Sequence, residues 1–239
     1  KDPDASLYIR PVMIASEAAL EVRASREYLH YIIVSPVGAY FANGFNPISV
    51  FVSDEHVRAV RGGTGEAKTP GNYAASIAVT EQARSLDCQQ VLWLDAVERK
   101  YIDEVGAMNI AFVYKDGVIK TPPLSGAILH GVTRDSVLRL APDLGFDIVE
   151  ERLTIAEVMR DVAAGEITEI FGMGTAAVVA PVGRLVCGDQ DVLVNENVVG
   201  PVAKAIYKAL TDIQYGRAED PYGWTTRVRV NPVVEAAQK

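Results

Sequence analysis

The stretch Gly62-Gly63-Thr64-Gly65-Glu66-Ala67-Lys68-Thr69-Pro70-Gly71-Asn72-Tyr73 decides how the rest of the chain is read. Its glycines give the backbone freedom to turn tightly and to approach a ligand or another segment closely. A Gly-rich loop ending in Lys suggests a phosphate loop, but Ala67 stands where a Walker A motif requires Gly. A lone loop lysine is ordinarily a solvated surface charge. Here the glycines ahead of it, and an apolar helix behind it, favour a buried Lys68. That helix is expected over residues 72–86, with Ala75, Ala78, Val79, Ala83 and Leu86 on one stripe.

Short β-branched or aromatic runs at 7–14, 28–35 and 48–53 lie upstream and read as strands. Downstream, 90–94 reads as a buried strand. Residues 109–114 and 118–121 flank the turn signal Lys115-Asp116-Gly117 and read as a hairpin, closed by Pro122-Pro123. A helix is expected from about Thr133, entered through Gly131 and Val132, with Val137, Leu138 and Ala141 inward. Pro142 should kink or end it, and Gly145 is its latest stop. A helix at 155–164, a strand at 166–171 and strands around 178–186 follow. A last helix covers 201–214, with Pro201 in its first turn. Strands and helices alternate, yet some strands are joined by hairpins. The fold class is therefore α/β with mixed sheets, an α+β arrangement and not a parallel βαβ array.

The composition is that of a globular protein: 239 residues, 49% hydrophobic, 23% charged. A net charge of −8 leaves no basic surplus to neutralise phosphates, which argues against nucleic-acid binding. No run approaches the ~18 apolar residues of a membrane span, and Lys1-Asp2-Pro3-Asp4 does not open a signal peptide. Cys88 and Cys187 stand in no CxxC or Cys/His spacing. Neither a disulfide framework nor a metal site is expected, which fits a reducing cytoplasm.

The segment 62–73 resembles the cofactor-lysine segment of branched-chain aminotransferases, a family of the fold-type IV pyridoxal-phosphate enzymes. The resemblance continues in order through Gln90-Val91-Leu92-Trp93-Leu94, Glu104-Val105-Gly106-Ala107-Met108-Asn109 and Thr121-Pro122-Pro123-Leu124. It resumes at Gly131-Val132-Thr133-Arg134, Glu169-Ile170-Phe171, Gly174-Thr175-Ala176 and Asp212-Ile213-Gln214-Tyr215-Gly216. Upstream, Leu7-Tyr8-Ile9-Arg10-Pro11 and Ser35-Pro36-Val37-Gly38-Ala39-Tyr40-Phe41 also fit.

The resemblance implies pyridoxal 5'-phosphate as cofactor and a role for each matched residue. Lys68 is the catalytic lysine that bonds the cofactor. Glu104 pairs with the ring nitrogen and keeps it protonated, and Tyr73 meets the ring oxygen. Val132 and Thr133 offer backbone amides and a helix dipole to the phosphate, and Thr175 adds a hydroxyl. The amides of Thr175 and Ala176 receive the substrate carboxylate. Tyr8 and Arg10, two apart on a strand and so on one face, serve the substrate side chain. Without the resemblance, Tyr73 reads as a core aromatic, Gly131 and Gly174 as turn residues, and Tyr8 and Arg10 as half-exposed strand positions.

The implied reaction exchanges amino groups between leucine, isoleucine or valine and 2-oxoglutarate, in a cytoplasmic homodimer. D-amino-acid transaminases and aminodeoxychorismate lyases share the fold type and remain alternatives, as does a fragment that folds and dimerises without turnover. The implied organisation is 1–54, the end of a small N-terminal domain and a linker, followed by 55–239, the large cofactor-bearing domain. Most of the small domain, with its phosphate-binding arginine, is expected to be absent. Ala177 and Ala180 stand where animal members carry a CxxC pair, so no thiol switch is expected. His130 replaces a usual Pro and is expected to be a solvent-accessible loop residue. Pro70 replaces a usual Gly.

Overall fold

Most strands of the larger unit are short, largely apolar runs such as Ile48–Ser53, Gln90–Leu94 and Asn109–Tyr114, and pairing them side by side gives one sheet. The computed structural model describes residues 6–38 and 44–228. The expectations for Lys1–Asp4 and for Ala39, Tyr40 and Phe41 lie outside the described residues. The strands are β1 (Ser6–Ala15), β2 (Tyr28–Val37), β3 (Ile48–Ser53), β4 (Gln90–Leu94), β5 (Ile102–Val105) and β6 (Asn109–Tyr114). They continue with β7 (Ile119–Thr121), β8 (Ile148–Glu150), β9 (Ile167–Gly174), β10 (Val178–Cys187) and β11 (Gln190–Leu193). The helices are α1 (Pro70–Ala74), α2 (Ile77–Ser85), α3 (Val132–Asp143), α4 (Ile155–Ala163) and α5 (Pro201–Gln214).

The chain forms two compact units, Lys1–Gly44 and Phe45–Lys239. In the first, β1 and β2 make an antiparallel hairpin from Ser6↔Val37 to Ala15↔Tyr28. Its connection is pinned by Glu17, which pairs with Arg23 and accepts the Arg26 amide at 2.7 Å. In the second, the sheet runs β5-β4-β3-β10-β9-β6-β7-β8, with β11 also on β10. Only β10–β3, β3–β4 and β7–β8 are parallel, so the sheet is mixed as expected. The division falls earlier than the expected 54/55 boundary. β3 is hydrogen-bonded on both edges, to β4 and to β10, and therefore belongs to the larger unit.

The expected helix over 72–86 is two helices. Ser76 breaks it: its hydroxyl donates to the Tyr73 carbonyl at 2.7 Å and its amide to the same carbonyl at 3.1 Å. Such local bonds compete with the regular ladder. Of the expected stripe only Val79 and Ala83 are buried, against Phe51, Val91, Trp93 and Val186. Ala75, Ala78 and Leu86 are exposed. α3 passes Pro142 by one residue and stops before Gly145, whose φ is +84°. β9 runs past the expected Phe171 to Gly174, because Gly172–Gly174 continue to pair with β10 and Gly172 and Met173 with β6; Met108 fills the space beside the two glycines.

α3 and α5 cover one part of the sheet. Val137 and Ala141 of α3, with Ala203 and Ile206 of α5, pack on Ala111, Phe171 and Met173. Glu169, buried on β9, accepts the Val202 and Ala203 amides at 2.9 Å each. It caps α5 with a charge and satisfies donors that a helix leaves open. No helix among the described residues is long and apolar enough to cross a membrane.

Candidate active site

The Lys68 loop leaves the end of β3 and enters α1. Asn72, only 6% exposed, clamps it. Its Nδ2 donates to the carbonyls of Thr64 (2.8 Å) and Ala67 (2.9 Å), and its Oδ1 accepts the Thr64 hydroxyl at 2.7 Å. Gly65 lies against the Ala127 backbone, where a Cβ would fall on main-chain atoms. Two loops are thereby pressed together. Pro70 opens α1, where its missing amide costs nothing. Lys68 itself is exposed, against the expectation of burial. Near its ammonium lies Tyr73, with Nζ 5.8 Å from the ring centroid.

β5 carries two acids in succession, so its alternation sends Asp103 and Glu104 to opposite faces. Glu104 is 2% exposed. Its Oε1 accepts the Leu129 amide at 2.6 Å, and its Oε2 lies 3.1 Å from Arg58 Nε. Burial pushes Glu104 up to about 7; the Arg58 guanidinium, the Leu129 amide and the Lys68 ammonium all pull the other way. Asp103 is pushed up to about 6 by burial and by Asp95, opposed by Arg58 and Arg152.

The chain from Leu129 leads to the start of α3. Asn109, at the head of β6, donates to the Leu129 carbonyl at 3.0 Å. Gly131 rests on the same side chain, and a Cβ there would fall on Asn109 Oδ1. No side chain caps α3, so the amides of its first turn and the positive end of its dipole are available to an anion. Val132 is exposed and Thr133 buried.

Asn109 pairs with Met173 of β9, so the β9–β10 turn lies at the same sheet edge. Thr175 and Ala176 are exposed in that turn. Val178 closes it at φ +59°, a strained conformation for a β-branched residue. His130 is exposed, as expected, and its Nε2 lies 3.0 Å from Glu66 Oε1, tying the α3 approach to the Lys68 loop. The Lys68 loop, Glu104 of β5 and the approach to α3 are thus linked through Arg58, Leu129, Asn109 and the His130–Glu66 pair, while Thr175 and Ala176 lie in the β9–β10 turn beyond the strand end that Asn109 pairs with.

Tyr8 and Arg10 belong to the first unit and are described within it. Arg10 Nη2 donates to the Tyr8 hydroxyl at 2.9 Å, so both side chains do share a face of β1. Sequence reading passes over Arg58, Asn72, Asn109 and Leu129 as site residues. Arg58 has a signal: a cation flanked by Val57 and Ala59, just ahead of the glycines. Leu129 acts through a backbone amide, which leaves no trace in composition.

A model of the family "Amino-transferase class IV" matches residues 1–185. The chain belongs to the class IV aminotransferase family. It is 50% identical over 229 residues to branched-chain-amino-acid transaminase 1 of Bacillus subtilis, covering 95% of this chain and 64% of that relative. The chain thus spans less than two thirds of that relative's length. Among solved structures it resembles the branched-chain aminotransferase of Escherichia coli at 32% identity and TM-score 0.78, covering 93% of this chain and 70% of that one. It also resembles a T.th. branched-chain amino acid aminotransferase solved with pyridoxamine 5'-phosphate, at 29% identity and TM-score 0.80, covering 93% and 70%. The fold is that of these fold-type IV proteins.

Proposed function

We propose that this chain carries the cofactor-bearing part of a branched-chain amino acid aminotransferase, exchanging the amino group of leucine, isoleucine or valine with 2-oxoglutarate through pyridoxal 5'-phosphate. One observation carries the reading. A lysine loop, a buried carboxylate and an uncapped helix start are bound together through Arg58, Ala127, Leu129 and Asn109. These groups match the three parts of the cofactor: an aldehyde for Lys68, a ring nitrogen for Glu104, a phosphate for the amides of Val132 and Thr133. The T.th. relative was solved with pyridoxamine 5'-phosphate, the aminated form of that cofactor, which supports the assignment.

In this reading Lys68 bonds the cofactor and its freed amine moves the proton of the substrate α-carbon. Bound pyridoxal phosphate supplies the electron sink for that step. Glu104 holds the proton at the ring nitrogen, and Tyr73 orients the ring oxygen. The Thr175 hydroxyl joins the phosphate, while the amides of Thr175 and Ala176 hold the substrate carboxylate. Tyr8 and Arg10 meet the substrate side chain, Arg10 reading the distal carboxylate of glutamate. The unit Lys1–Gly44 ends a small domain, and the unit from Phe45 onward holds the cofactor. A homodimer in the cytoplasm is the setting we propose.

The test is spectroscopic. Purified protein titrated with pyridoxal phosphate should gain a visible band, and leucine should bleach it while D-alanine leaves it. No band, or bleaching by D-alanine instead of leucine, would overturn the reading.

A further inference from the structure

We infer that Arg58 is a positioning residue, holding Glu104 and the two loops beside it in one arrangement. The inference rests on the cofactor reading for Glu104, and it names a group that neither the resemblance nor the comparisons assign.

Arg58 is 9% exposed. Its Nε lies 3.1 Å from Glu104 Oε2 without an aligned hydrogen bond. Its Nη2 donates to the carbonyl of Gly65 at 3.1 Å and to that of Ala127. Gly65 is in the Lys68 loop. Ala127 begins the segment whose Leu129 amide reaches the other oxygen of Glu104. The guanidinium therefore closes a ring: Lys68 loop, Arg58, Glu104, Leu129, Ala127. A planar fork can serve a carboxylate and two carbonyls together, which a single ammonium cannot.

The charge matters as much as the geometry. Burial drives Glu104 toward its neutral form, and Arg58 is the largest influence the other way, ahead of the Leu129 amide and Lys68; Asp103, the next acid on β5, opposes them. Without Arg58, burial would push the carboxyl further toward its neutral form and weaken any ion pair it makes with a ring nitrogen.

The experiment compares the protein with Arg58→Lys and Arg58→Met, loaded and free of cofactor. In cofactor-free protein, infrared difference spectra against Glu104→Gln follow ionisation of that one carboxyl. Arg58→Met should move the midpoint up by about one to three pH units. Arg58→Lys should keep the midpoint near the native one yet lose about tenfold in affinity for pyridoxal phosphate, because the loops are no longer held. An unmoved midpoint in folded Arg58→Met, or native affinity in Arg58→Lys, overturns the inference. If Arg58→Met does not fold, the double variant with Glu104→Gln decides. Recovery of the fold shows that a stranded buried carboxylate caused the failure; continued unfolding shows a merely structural arginine and overturns the inference. Because the infrared readout needs no cofactor, failure of the aminotransferase reading would appear separately, as native protein that gains no visible band.

Discussion

The hydroxyl of Thr64 donates to Asn72 Oδ1 at 2.7 Å, while the Asn72 amide returns a bond to the Thr64 carbonyl at 2.8 Å. This two-way clasp, with a third bond to Ala67, fixes the backbone on the residue before Lys68. A lysine whose Cα is held in this way searches a small volume with its ammonium, and effective concentration rises accordingly.

Borohydride reduction of the cofactor-loaded protein should leave a pyridoxyl label on Lys68. Peptide mapping by mass spectrometry checks it. A label on Lys100 or Lys204, both distant in sequence from the clamped loop, would move the assignment.

Arg10→Ala should hurt glutamate far more than leucine as amino donor. A guanidinium reads a distal carboxylate but gains little from an isobutyl group. The ratio of kcat/KM for the two donors should shift by about ten- to a hundredfold, the value of one charge-assisted hydrogen bond. Equal losses would mean that the bond from Arg10 to the Tyr8 hydroxyl is only a brace within the hairpin.

Asp103→Asn should stabilise the protein at high pH and not at low pH. Asp103 is raised from 3.8 to about 6, so the folded state prefers it protonated. Its contribution is fully favourable below the unfolded value and is lost as pH rises through the folded value. Asparagine has nothing to lose. At about pH 8 the variant should gain roughly 1–3 kcal/mol in urea unfolding, and near pH 4 about nothing. A gain independent of pH would mean that packing, not ionisation, is responsible.

Glu169→Gln should cost about 1–2 kcal/mol, since a carboxylate at a helix start is worth more than an amide there. Both of its oxygens accept α5 amides, and Gly200 leaves the room they need. The visible spectrum of bound cofactor should stay as it is, because Glu169 caps α5 and touches none of the proposed cofactor groups. Altered cofactor absorbance with unchanged urea midpoint would contradict this division of labour.

The legibility of the fold varies with local chemistry. β3, β4, β6 and α5 appear where the sequence predicts them, because each is an apolar run or amphipathic stretch closed by Gly, Pro or a turn. β5 does not read as a strand: Asp103 and Glu104 put two charges into a strand of buried residues, and charge masks the pattern. The end of β9 reads as a turn, since its glycines are strand only through pairing with β10 and β6, which nothing local shows. The break at Ser76 depends on where a hydroxyl finds a carbonyl. In the site, the residues matched by resemblance can be named one by one. Their holders cannot. Asn109 and Arg58 bond backbone carbonyls of distant segments, Leu129 and Ala127, and only folding brings those together; Asn72 bonds carbonyls of its own loop, in a conformation that composition does not show.

The position of β3 between β4 and β10 has a consequence for the order in which the molecule is made. Hairpins such as β6–β7 and β9–β10 close between near neighbours, and such contacts form fast. β3 is synthesised well before Leu185 and Val186 of β10, the partners of Val50 and Phe51. Until then Val50, Phe51 and Val52 have one edge without a mate. Completion of this part of the sheet is therefore a long-range insertion, and the nascent chain offers a sticky strand edge to chaperones from the synthesis of β3 until that of β10.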